Sequence, residues 1–170
     1  MTEKLNEFNY EIELIKEFCK SLEKNKIEYK LELAPGFPYH KSKIDIVIRE
    51  KNRLIGIEAK IKGFMPVFAQ ALGNRVFTPY NSILIPKKPN EKQIKKLQEN
   101  GIGLYYYDEV KQDFVKLLNP VKSEYTFKKY YKQLKRNWNK NKIGRKYHSR
   151  ELPDNFKGLK SHSDKWEEVN

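Results

Sequence analysis

The stretch Ile44–Lys60, IDIVIREKNRLIGIEAK, sets three charged side chains into what otherwise reads as a buried hairpin. Ile44, Ile46 and Ile48 alternate with Asp45, Val47 and Arg49, while Ile55, Ile57 and Ala59 alternate with Gly56, Glu58 and Lys60. A two-residue period on both sides of the polar segment REKNRL predicts two paired antiparallel strands. With the turn centred between Lys51 and Asn52, Ile48 opposes Ile55, Ile46 opposes Ile57, Ile44 opposes Ala59 and Asp45 opposes Glu58. Opposed residues point to the same side with Cβ atoms about 5 Å apart. This register predicts one wholly apolar face and a second face on which Asp45, Glu58 and Lys60 converge at one end.

Two carboxylates so close repel and raise each other's pKa unless a cation lies between them. Oxygen-only ligation suits Mg²⁺ or Mn²⁺, and Mg²⁺ is commonly held by one or two carboxylates together with water and substrate phosphate. Lys60 would add positive charge for an attacking hydroxide or for a phosphoryl group in transit. The single cysteine, Cys19, excludes an internal disulfide, and with histidines only at 40, 148 and 162 it excludes the usual zinc spacings.

Outward from the hairpin, Leu5, Phe8, Ile12, Ile15, Cys19 and Leu22 recur at steps of three and four and predict an amphipathic helix from Glu3 to about Lys24, with Glu11 at the border of its apolar stripe. KIEYKLELA predicts a strand, and PGFPYHKSK a loop leading into the hairpin. A helix is predicted near VFAQALGNRVF, a strand at SILIP, a helix at EKQIKKLQEN closed by Gly101, a strand at GLYYYD and, in EVKQDFVKLLNP, either a further strand, which is preferred, or a short helix. This order predicts an α/β fold, a mixed sheet flanked by helices.

The 170 residues carry a formal charge of +13, and residues 121–150 hold eleven Lys or Arg against one acidic residue. One core domain over 1–120 and a basic, partly helical extension over 121–170 are therefore predicted, with a polyanionic partner. The acidic, amphipathic start lacks the pattern of a signal peptide, and no apolar run reaches the length of a membrane span, so a soluble cytoplasmic protein with no membrane partner is expected.

Asp45 and the EAK of Glu58, Ala59 and Lys60, with Gln70 on the following helix and NSILIP after it, resemble the PD-(D/E)xK nuclease superfamily over about residues 3–118. Ile44 stands where the proline of that motif's name would be, and Asn74 stands where several branches carry a tyrosine four residues after the glutamine. The resemblance implies a restriction endonuclease-like core and a Mg²⁺- or Mn²⁺-dependent endonuclease hydrolysing phosphodiester bonds in DNA. It implies Asp45, Glu58 and the carbonyl of Ala59 as metal ligands, Lys60 as the group that positions or activates water, Gln70 as an orienting residue and Glu11 as an added carboxylate. A homodimer is expected if both strands are cut, because one site cuts one strand. The alternative is a nucleic-acid-binding protein that keeps the fold without catalysis.

Lys41 and Lys43 flank the segment just before Asp45, beside His40, and are positioned to steer a nucleic-acid backbone. In the extension, Phe127, Tyr131, Leu134 and Trp138 fall at helical steps and leave Lys128, Lys129, Lys132, Lys135 and Arg136 on other faces, with Arg145 and Lys146 beyond. Such a helix can dock on the core, pair with a second subunit, lie along phosphates while its aromatics stack on bases, or bind a membrane surface; nucleic acid agrees best with the charged site on the hairpin, and a membrane least.

Overall fold

The computed structural model describes residues 8–35 and 43–140. The hairpin forms as its sequence dictates. Strand β2 (Ile44–Glu50) and strand β3 (Arg53–Ala59) are joined by Lys51 and Asn52, both with positive φ (47° and 64°). Two left-handed residues make the tight turn whose twist matches that of the flanking strands. Ile48 opposes Ile55 and Ile46 opposes Ile57, as the alternation predicts.

Around the hairpin the chain builds α1 (Glu11–Lys24), β1 (Glu28–Leu33), α2 (Phe64–Asn74), β4 (Tyr80–Ile85), α3 (Glu91–Glu99), β5 (Gly103–Asp108), β6 (Asp113–Leu118) and α4 (Lys128–Lys140). The six strands lie in sequence order in one sheet. β1, β2 and β3 run antiparallel, β3, β4 and β5 parallel, and β6 closes the far edge antiparallel to β5. The fold is thus a mixed α/β sheet flanked by four helices, and SILIP reads as an unbroken apolar run because both sides of β4 are covered.

On one side, α1 sets Leu14, Ile15, Phe18, Cys19 and Leu22 against Ile46, Ile48, Ile55, Ile57 and Ala59. On the other, α2 and α3 enclose Ile83, Ile85 and Leu104 with Val67, Phe68, Ala71 and Leu97. Tyr105 and Tyr107 of the YYY run are buried strand residues packed edge-on against Phe18 and Phe114. Gly103 cannot carry a side chain: an added Cβ would stand 2.2 Å from Ser82 Oγ and 2.9 Å from the backbone nitrogen of Pro120.

Three departures from the sequence reading have local causes. Phe8–Tyr10 precede helix α1, which starts at Glu11 because the Glu13 carboxylate reaches back and accepts from the backbone N–H of Asn9 at 2.9 Å and of Tyr10 at 3.3 Å. Residues 3–7 lie outside the described residues. Ile44 does not share the face of Ile46 and Ala59; it joins Leu33, Val47 and Leu54 on the opposite side. There the Asp45 side chain, not the backbone ladder, accepts from the Ala59 N–H at 3.0 Å.

The third departure is α4. The sequence places it in an extension, yet Leu134 and Trp138 are buried against Leu33, Ile44, Val47 and Leu54 and complete the core there. Helix α2 packs on β3 and β4, so without α4 this apolar patch of β1 and β2 would face water. Trp138 also lies beneath the Lys30 ammonium at 4.9 Å and the Arg49 guanidinium at 5.7 Å from its ring centre, a cation–π arrangement. Tyr131 Oη accepts from the Leu54 N–H at 3.3 Å, and Asn137 Nδ2 donates to the Ala34 carbonyl at 2.8 Å. Among the described residues no helix is long and apolar enough to cross a membrane.

Removing the buried side chains of α4 should therefore cost stability as core truncations do. Leu134→Ala and Trp138→Ala are each expected to lower the unfolding free energy by about 2–5 kcal/mol, whereas Lys132→Ala on the solvent side should change it by less than about 0.5 kcal/mol. Urea titration of the three variants measures the difference.

Candidate active site

Four ionisable residues come together at the end of the hairpin where β3 gives way to the loop before α2. Glu58 is the penultimate residue of β3, 5% exposed, and points to the α2 side. Its Oε1 accepts from Asn74 Nδ2 at 2.6 Å. Asp45 lies beside it at the start of β2, held by the Ala59 N–H. From the other side of the sheet, α1 delivers Glu11 at its first residue, almost fully buried, with Oε2 3.9 Å from Lys60 Nζ. The positive end of the α1 dipole favours an acidic residue there. Lys60 is fixed by its own backbone, whose N–H donates to the Leu84 carbonyl at 3.1 Å and so extends the parallel β3–β4 ladder by one bond.

These carboxyl groups are held in mutual conflict. Burial, then the Asp45 charge, raises the Glu11 pKa to about 8, and the Lys60 ammonium only partly opposes this. Glu58 is raised well above its ordinary value, first by burial, then by the charge of Asp45 and a hydrogen bond with it; Asn74 acts in the opposite sense. Desolvation and like charge both disfavour the ionised forms. Protonation relieves that conflict, and a cation between the carboxylates would relieve it as well.

Glu11, Asp45, Glu58 and Lys60, which the sequence singles out, do converge, and Ala59 is buried between them with its N–H on Asp45. Gln70 does not join them. Helix α2 buries Val67, Phe68 and Ala71, and Gln70 lies on the flank of that face, exposed to solvent. The amide that touches Glu58 belongs to Asn74, one turn further on, at the position where the chain departs from the family pattern. The signal is present in the sequence: a carboxamide at the helical position following the glutamine.

Lys43 is exposed and 3.9 Å from Glu32 Oε2. Lys128, Lys129, Lys132, Lys135 and Arg136 are all exposed, on the faces of α4 away from Leu134 and Trp138, with the Lys135 ammonium 4.3 Å from the centre of the Tyr131 ring. His40, Lys41, Arg145 and Lys146 lie outside the described residues.

Among the described residues no three His, Cys, Asp or Glu side chains stand close enough to form a ready metal cage. Glu11 is drawn toward Lys60, which leaves the Asp45–Glu58 pair as the metal-competent one. That donor set fits Mg²⁺ or Mn²⁺, hard ions that keep much of their water and bind through one or two carboxylates. The repulsion between ionised Asp45 and Glu58 is what such an ion would remove.

No known family's sequence profile matches this chain, and no curated protein does. Among solved structures, a protein of unknown function from Silicibacter pomeroyi, SPO1766, is similar over 85% of this chain and 92% of its own, with a TM-score of 0.57 at 13% identity. That likeness places the chain among α/β proteins of this architecture. The protein of unknown function AF1548 matches 56% of this chain and 58% of its own (TM-score 0.46, 19% identity). An XisH family protein from Nostoc punctiforme matches 62% of this chain and 99% of its own (TM-score 0.44, 16% identity).

The raised carboxyl pKa values carry a stability signature. Folded Glu11 keeps a proton up to about pH 8 that the unfolded chain releases near its ordinary value of 4.5. Its contribution is therefore complete below 4.5 and is lost as pH rises toward 8. Wild-type stability should decline across that window, steepening by about 1.4 kcal/mol per pH unit for each proton released. Urea titrations across the same range should show a shallower decline for Glu11→Gln; parallel curves for the two proteins would show that Glu11 is not desolvated in the folded state.

Proposed function

We propose that the chain is a metal-dependent endonuclease of the PD-(D/E)xK type, hydrolysing phosphodiester bonds in DNA. The observation that carries this reading is the meeting of Asp45, Glu58 and Lys60, with Glu11, at the carboxyl end of a parallel strand pair, where burial makes the carboxyl groups unfavourable as bare charges. Asp45, Glu58 and the Ala59 carbonyl would hold Mg²⁺ or Mn²⁺. When bound, the ion polarises a phosphoryl oxygen and makes its water more acidic.

The protein's own residues do the rest. Asn74 fixes one oxygen of Glu58, so that its carboxylate is presented in one orientation. The Ala59 N–H fixes Asp45 in the same way. Lys60 has its backbone locked into the sheet and its ammonium near Glu11, which suits it to orient the attacking water and to stabilise the extra negative charge on the phosphorus centre. Glu11 carries its own proton near neutral pH, so it could take up the proton that the water loses only once a bound ion had favoured its ionised form. The exposed basic face of α4 would hold DNA by its phosphates. One site per chain cuts one strand, so scission of a duplex would require two copies.

Plasmid and oligonucleotide cleavage tests this directly. Mg²⁺ and Mn²⁺ should support cleavage, whereas Ca²⁺, with its looser coordination, and chelator should not. Asp45→Asn and Glu58→Gln should abolish activity, and Lys60→Ala should lower it by roughly 10²–10⁴-fold, with the fold retained. Cleavage that survives chelator, or that proceeds at the wild-type rate in these variants, would falsify the proposal. DNA binding without cleavage under every metal would instead point to a binding protein on the same fold.

The α4 contribution is separable. Replacing Lys128, Lys129, Lys132, Lys135 and Arg136 with Gln should weaken duplex binding and flatten the log–log salt dependence by up to about 0.9 for each phosphate no longer neutralised. The solvent-facing positions leave Leu134 and Trp138 in place, so thermal stability should hold while the slope changes.

A further inference from the structure

Beside the carboxylates, a cleft of about 560 Å³ opens at the carboxyl ends of β3 and β4, between the segment Lys60–Phe64 and the segment Ile85–Pro89. In open α/β sheets the carboxyl ends of the strands are a common ligand location. Lys60, Lys62, Lys87 and Lys88 line it, against Glu109 as the acidic residue in its wall. Between the cations lie apolar surfaces, among them Phe64, whose ring is fixed by stacking on Phe68 at 5.7 Å between centres and 10° between planes. Helix α2 also begins in this wall, at Gly63, with no side-chain cap and no acidic residue in its first turn.

We propose that this cleft binds unpaired nucleotides of the DNA strand next to the bond that is cut, so that the protein prefers duplexes with a single-stranded overhang or flap. The inference rests on the nuclease reading for its placement beside the scissile phosphate. A volume within the roughly 300–1,000 Å³ of small-molecule sites accommodates a nucleotide or two and excludes a double helix. In a duplex the base faces are stacked on one another and cannot reach an apolar floor; in a single strand they can. A lysine rim for phosphates with an aromatic and aliphatic floor for base faces is the combination that single-strand binding uses. Lys60 belongs to both places, which sets the strand in the cleft in continuity with the carboxylate cluster. The basic residues of α4 are instead exposed side chains around a buried apolar seam, suited to the outside of a duplex.

The test is fluorescence-anisotropy binding by the full chain in chelator, so that the readout is independent of cleavage. The probes are a short blunt duplex and the same duplex with a 5′ or a 3′ single-stranded overhang. Wild type should bind one overhang duplex at least about tenfold more tightly than the blunt one, equivalent to about 1.4 kcal/mol. Replacing exposed Lys62, Lys87 and Lys88 together with Gln should remove that preference, reduce the overhang salt slope by about 0.7 for each single-strand phosphate no longer neutralised and leave blunt-duplex affinity unchanged. Phe64→Ala should remove the preference with little change in slope.

Equal wild-type affinity for blunt and overhang duplexes would overturn the proposal, as would a preference that survives the lysine replacements. The two readings fail differently. Lysine-dependent overhang binding by a protein that cuts nothing with Mg²⁺ would retain the cleft and sink the nuclease. Metal-dependent cutting with no overhang preference would do the reverse.

Discussion

The burial of Glu58 against Asp45 is the constraint around which this molecule is arranged. An ionised carboxylate removed from water is costly unless it is paired, and a neighbour of the same charge adds to the cost. The protein does not avoid this arrangement; it fixes it from several directions. The β2–β3 hairpin sets the two residues side by side just beyond its last ladder pair, Ile46 and Ile57, the Ala59 N–H holds Asp45, and Asn74 holds Glu58 from α2. A site that only needed to be stable would have placed an apolar residue at position 58.

The departure of Ile44 from its expected row shows how the local geometry is obtained. Gly56 opposes Val47 in the ladder, and a Cβ at Gly56 would stand 3.3 Å from the Ile44 side chain and 3.0 Å from Asn81 Oδ1. The absent side chain gives Ile44 room to cross to the α4 side, where Leu134 and Trp138 cover it. Once Ile44 has crossed, the regular backbone pairing ends at Ile46 and Ile57, and the Ala59 N–H takes the Asp45 carboxylate in place of a backbone carbonyl. The docking of α4, remote from the carboxylates in sequence, thus supports the backbone turn that aims Asp45.

Most of the sheet and the charged cluster are legible in the sequence because they rest on period-two alternation and on a turn whose length fixes the register. Ile46, Ile48, Ile55 and Ile57 admit only one pairing that buries all four. What is not legible depends on contacts between distant segments. The Phe127, Tyr131, Leu134 and Trp138 spacing announces an amphipathic helix, but periodicity does not say what its apolar face meets, and the surrounding lysines make it look detached. Gln70 and Asn74 lie one turn apart on one helix, and only the rotation of α2 against β3 decides which amide reaches Glu58. Likewise, apolar spacing extends the first helix back to Leu5, whereas the Glu13 cap starts it at Glu11.

Burial lowers the negative charge that the acidic cluster presents. Burial raises the pKa of Glu11 to about 8, so Glu11 holds a proton near neutral pH, and burial also disfavours the ionised form of Glu58. The negative charge that an approaching phosphate meets is correspondingly smaller than three carboxylates would present. Outside the cluster the near surfaces are basic on two sides, the cleft with Lys62, Lys87 and Lys88 and the outward face of α4. A cation entering between Asp45 and Glu58 would favour proton loss, because it stabilises the ionised forms that burial alone disfavours. The same burial that weakens the resting repulsion would therefore couple any cation binding to proton release, and Lys60, near Glu11 and at the edge of the cleft, stands where the cluster and the cleft meet.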